Sequence, residues 1–94
     1  MLKRNDKIPD GYYEMGNYFM RENKNDEALI QYEKALELNP RHYLSWNNIG
    51  VIAHKMKNYD KAIACYRKSL EIDSKHRVAL TNMGDTLFHL KKYN

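Results

Sequence analysis

A chain of 94 residues that is 43% hydrophobic and 30% charged holds one small domain and lies outside the disordered range. Its two prolines stand at segment edges, which counts against a turn-rich β fold, and its single cysteine excludes an internal disulfide and a cysteine-pair metal site. The net charge of +4 is uneven: residues 1–42 carry seven Lys/Arg against eight Asp/Glu, residues 43–94 nine against four.

After an extension over 1–8, Tyr12, Met15, Gly16 and Phe19 recur at i, i+3, i+4, i+7 and predict a first helix. The polar break Asn23-Lys24-Asn25 leads to a second helix marked by Ala28, Tyr32, Ala35 and Leu36, with Asp26 expected as its N-cap. Asn39-Pro40 closes that segment. Trp46, Ile49, Gly50 and Ala53 mark a third helix. Beyond Lys57-Asn58-Tyr59, Ala62, Tyr66, Ser69 and Leu70 mark a fourth, with Asp60 as the expected cap. Leu80, Met83, Gly84 and Leu87 begin the pattern again in a fifth, over 77–92.

The segments are copies of one another. Gly16, Gly50 and Gly84 are spaced by 34, and the same shift matches Asp26/Asp60, Ala28/Ala62, Tyr32/Tyr66, Lys34/Lys68, Leu36/Leu70 and Glu37/Glu71. Chance would supply about one identity in such a window. A helical glycine costs up to ~1 kcal/mol against alanine, so three at one period imply close helix approach, with Ala28 and Ala62 opposite and the tyrosines filling the space beyond. Antiparallel helix pairs follow from the short polar breaks.

In these features the chain closely resembles the tetratricopeptide repeat family. Trp46-Asn47-Asn48-Ile49-Gly50, Ala62, Tyr66 and Leu70, with Pro40 ahead, carry the resemblance. Tyr12 and Leu80 stand in place of the family's tryptophan, Ser69 of an alanine and Ser74 of a proline. The implied fold is all-α: about five helices in antiparallel helix-turn-helix repeats, stacked as a short right-handed superhelix, an α-solenoid. Repeat 1 spans 9–42, repeat 2 spans 43–76, and 77–94 is the first helix of an incomplete third.

The resemblance further implies that first helices line a concave groove that binds a peptide of a protein partner. Carried over by position, the contacts are Tyr13, Asn17 and Arg21, then Asn47, Asn48, Val51, His54 and Lys55, then Asn82, Asp85, Phe88 and His89. Asn48 and Asn82 are the expected rungs of an asparagine ladder along a peptide backbone. Family members that grip chaperone tails use a cationic clamp. Asn17 and Asn48 match two of its positions, but its cationic positions hold Tyr13, Val78 and Asn82, so chaperone-tail binding is not expected.

The last helix carries an apolar stripe, Leu80, Met83, Leu87 and Leu90, with one flank uncovered. Either the chain belongs to a longer array, or the stripe makes a homodimer. Nucleic-acid binding through the basic half, with Lys57, Lys61, Arg67, Lys68 and Lys75 on second helices, is a lesser alternative to solvated helix faces. No catalytic constellation appears, so an enzyme is not expected. Cofactors are not expected either. His54 and His89 face a similar direction, but Cys65 lies on a second helix and does not complete a zinc site. With no run of about 20 apolar residues, no apolar core behind the charged start and a lone cysteine, the expected location is cytoplasmic.

Overall fold

The computed structural model describes residues 9–93, so the 1–8 extension lies outside the described residues. Five helices follow in order: α1 (Pro9–Arg21), α2 (Asn25–Leu38), α3 (Tyr43–Lys55), α4 (Tyr59–Ile72) and α5 (Arg77–Tyr93). The pairs α1/α2 and α3/α4 pack along their lengths, α2 meets α3, and α4 meets α5. Narrower seams join α1 to α3 and α3 to α5, which sets the first helices side by side. Among the described residues, no other helix pair brings its backbones into close packing. The stack measures 52 × 28 × 17 Å.

Within each hairpin the same device turns the chain. The amides of Asn23 and Lys24 donate to the carbonyls of Met20 (3.0 Å) and Phe19 (2.8 Å). Those of Lys57 and Asn58 donate likewise to His54 (2.9 Å) and Ala53 (2.8 Å). This is the Schellman pattern, which requires a left-handed residue after the helix. Asn23 (φ 62°) and Lys57 (φ 65°) adopt that conformation without being glycine.

The expected caps are corrected here. Lys24 and Asn58, not Asp26 and Asp60, stand at the N-cap positions of α2 and α4, and neither makes a side-chain capping bond. Their carbonyls start the helices by accepting from Ala28 (3.0 Å) and Ala62 (3.1 Å). Asp26 and Asp60 fall in the first turns, where their charge opposes the positive end of the helix dipole. Between repeats, the side chains of Asn39 and Asp73 accept from the amides of Arg41 (3.0 Å) and Lys75 (3.1 Å). These Asx turns, 34 residues apart, redirect the chain at the same point of each repeat.

Tyr32 and Tyr66 are fully buried and fill the centre of each hairpin. A methyl group on Gly16 would lie 2.5 Å from the Tyr32 ring, and one on Gly50 would lie 2.6 Å from the Tyr66 ring. The glycines are therefore required by the tyrosines. Gly84, at the third position of the series, meets nothing within 4 Å. Ser69, where repeat 1 has Ala35, is also fully buried, and its hydroxyl donates to the Tyr43 carbonyl at 2.9 Å. That bond offsets the cost of burying a hydroxyl where repeat 1 has a methyl.

Candidate binding face

The side-by-side first helices carry a line of hydrogen-bonded amides. Asn82 on α5 donates to the side-chain oxygen of Asn47 on α3 (3.1 Å), and Asn47 donates to that of Asn48 (3.0 Å). Asn48 donates to Asn17 on α1 (2.9 Å) and lies 3.2 Å from the Tyr32 hydroxyl. The Tyr32 hydroxyl itself donates to the Asn17 oxygen. Each link runs toward the N-terminal helix and ends on Asn17, which accepts two donors.

This arrangement changes how the expected contact residues are read. Asn47 is buried, 4% exposed, and supports its neighbours without offering a surface. Asn17 and Asn48 are half-buried and commit bonds to each other. Asn82 is half-buried and uses one amide hydrogen on Asn47, while its oxygen is of the acceptor type.

Around the amide line, Arg21, Lys55, Asp85 and Phe88 are exposed, while Tyr13, Val51, His54 and His89 are half-buried. Tyr13 packs on the Tyr32 and His42 rings at centroid distances of 5.9 and 5.3 Å. Val51 packs on the core of Ala53, Ala62 and Tyr66. Phe88 is 62% exposed, the highest value among the large apolar residues exposed in the structure. Burial holds the Tyr32 phenol at about 12, only partly opposed by the Asn48 hydrogen bond. Tyr66 is raised for the same leading reason, with Thr86 opposing. Burial also pushes the Cys65 thiol up, with Lys61 opposing, so it is no activated thiolate.

Two participants, His42 and Thr86, were not singled out from the sequence. His42 bridges helices, with Nδ1 2.7 Å from the Ser45 hydroxyl and Nε2 3.0 Å from the Asp10 carboxylate. Thr86 is fully buried and lies 2.7 Å from Nδ1 of His54. Its signal was available: it is a polar residue where the preceding repeat buries Ile52. Asp85 stands beside both histidines, so that one ligand atom each from His54, Asp85 and His89 lies within 4.8 Å of the others.

On the opposite flank of α5, Leu80 (50%) and Leu87 (45%) are exposed on either side of Gly84. Met83 packs instead against the Ala53–Ala62–Tyr66 core, and Leu90 is half-buried. Among the described residues, no helix is long and apolar enough to cross a membrane.

Residues 9–42 and 43–76 each match a family model for the tetratricopeptide repeat. The Hsp70-Hsp90 organising protein of Plasmodium falciparum (isolate 3D7) is 36% identical over 63 residues, covering 62% of this chain and 11% of that protein. The chloroplastic tetratricopeptide repeat domain-containing protein PYG7 of Arabidopsis thaliana is 37% identical over 46 residues, covering 49% and 15% respectively. The chain thus spans a small part of the length of either relative.

Proposed function

Because the chain belongs to the tetratricopeptide repeat family, we propose that it is a non-catalytic protein-interaction scaffold that holds a partner's peptide across α1, α3 and α5. The observation that supports this most is the exposure of Phe88, 62%, on α5, the helix that also supplies Asn82 to the amide line. An aromatic ring left in water beside polar anchors is the composition of an interaction hot spot. Asn82 would accept from a peptide amide, Val51 and Tyr13 would give apolar contact, and Arg21 and Lys55 would favour acidic side chains. Cytoplasmic location belongs to the same proposal.

The likeness to an Hsp70-Hsp90 organising protein raises chaperone tails as ligands. Tyr13, Val78 and Asn82 offer a terminal carboxylate no cation, and a clamp without cations lacks charge-assisted bonds. Internal peptide segments are therefore the favoured ligands.

The test is selection from a displayed peptide library, followed by affinity measurement with variants. Phe88→Ala and Lys55→Glu are expected to weaken selected binders by about tenfold or more. Ile30→Glu, at an exposed site on α2, is expected to leave them unchanged. Binders sensitive to Ile30→Glu but indifferent to Phe88→Ala would refute the proposal.

A second reading is favoured by the exposed Leu80–Gly84–Leu87 strip: self-association through α5. Its repeat counterparts Tyr12–Gly16–Phe19 and Trp46–Gly50–Ala53 lie on helices whose glycine is covered by a tyrosine. A second copy would cover the third strip.

A further inference from the structure

We propose that His54, Asp85 and His89 form a binding site for a divalent transition-metal ion of the zinc class. The site lies across the α3–α5 seam, with one ligand from α3 and two from successive turns of α5. Asp85 and His89 are four residues apart, so the helix places both on one side.

The hydrogen bonds around the two rings set the tautomers such a site needs. Thr86 donates its hydroxyl proton to the Asn82 carbonyl at 3.0 Å. Its oxygen, 2.7 Å from His54, can then only accept from Nδ1–H. In the neutral ring this leaves the lone pair on Nε2. His89 reaches the same state differently, with Nδ1 3.0 Å from the Asp85 backbone carbonyl, an acceptor only. Both imidazoles are thus held with Nε2 as the basic nitrogen. A metal-bound histidine ordinarily has its other nitrogen anchored in this way.

Packing restricts ring rotation further. The two imidazoles meet edge-on at 4.9 Å, and Tyr59 packs against both, at 5.1 Å from His54 and 5.8 Å from His89. An ion held about 2.0–2.1 Å from each ligand sets tetrahedral ligand–ligand distances near ~3.3 Å. The ligand atoms lie within 4.8 Å of one another, and the Asp85 carboxylate, 4.0 Å from Nδ1 of His89, is the exposed partner that swings toward Nε2 to close the site. Two imidazoles and a carboxylate suit zinc, cobalt, nickel or copper(II) over magnesium or calcium. Water would complete the coordination, because Asp85 is exposed and the histidines are half-buried.

The consequence for the protein is a tie between repeat 2 and α5. The inference is independent of the peptide reading, since its test contains no peptide.

Zinc chloride titrated calorimetrically into the chelator-treated chain at neutral pH should give one ion per chain, and the thermal midpoint should rise with zinc. His89→Ala and Asp85→Asn should each weaken binding about tenfold or more. Both alter the accessible side of α5, and circular dichroism checks that helicity is retained. Cobalt(II) should give d–d absorption without a thiolate charge-transfer band. Three results would overturn the proposal: no saturable heat up to millimolar zinc, unchanged affinity in both variants, or loss of binding in Cys65→Ser.

Discussion

The same substitution at two equivalent positions should have opposite signs. Gly50→Ala adds a methyl whose carbon would lie 2.6, 2.8 and 3.1 Å from atoms of the Tyr66 ring. Tyr66 is 1% exposed, so the ring has no open space into which to retreat. Overpacking of this kind costs about 1–3 kcal/mol, while replacing a helical glycine by alanine returns up to ~1 kcal/mol. With three ring atoms well inside contact distance, the upper part of that range applies and the net loss is about 1–2 kcal/mol. Gly84→Ala meets nothing within 4 Å and receives only the propensity gain, about 1 kcal/mol. At about 4–8 °C per kcal/mol for a domain of this size, the two variants should differ in thermal midpoint by about 10 °C or more. Urea unfolding followed by circular dichroism gives the free energies directly. A destabilised Gly84→Ala, or a neutral Gly50→Ala, would refute the reasoning. If the loss in Gly84→Ala grew with protein concentration, a second copy would be covering the strip.

Tyr32→Phe tests the buried phenol at high pH. Its folded pKa, about 12, lies above the ordinary phenol value of 10.0, so the stability it contributes is complete below pH 10 and is lost as pH rises toward 12. By pH 12 the wild type should have lost about 2 kcal/mol relative to Tyr32→Phe. The variant lacks the hydroxyl's bonds and starts about 1 kcal/mol less stable at neutral pH, so urea midpoints should cross between these limits. A constant difference would show that the phenol titrates normally. Lys57→Gly should stabilise the chain by about 0.5–1 kcal/mol, because glycine adopts the left-handed turn at φ 65° without strain. A lowered thermal midpoint would count against the Schellman assignment. For the self-association reading, light scattering across a wide concentration range should show a dimer that Leu87→Lys dissociates with helicity retained. A monomer at every concentration would end that reading.

The helices were legible because their information is local. Apolar spacing located all five, and the 34-residue period marked Gly16 and Gly50 as points of close helix approach, although the groups facing them are the rings of Tyr32 and Tyr66 where Ala28 and Ala62 were expected. The seams between first helices were less legible. Asn17–Asn48, His42–Asp10, His54–Thr86 and Asn47–Asn82 join residues 31, 32, 32 and 35 apart. Those separations scatter around the repeat length by amounts that depend on helix rotation and tilt. Neither quantity is written in an apolar pattern. Asn47 therefore looked like a groove residue until Asn82 was seen reaching it, and Asp85 looked unrelated to His54. The caps were misjudged for a different reason. A short acidic residue before an apolar run is a capping signal, but the left-handed turns at Asn23 and Lys57 start each second helix two residues earlier.

Contacts confined to neighbouring helices make the molecule behave as a short row of coupled segments. Opening one end costs mainly the interface that is broken there, since the backbones of α1 and α2 do not pack against those of α4 or α5. Amide protons in α3 and α4, enclosed on both sides, should exchange last, and those of α5 early. Any ligand lying across α1, α3 and α5 would span all three units of the row. It would then act as a splint, slowing exchange at the loose end by joining it to α1, whose backbone it does not meet on its own.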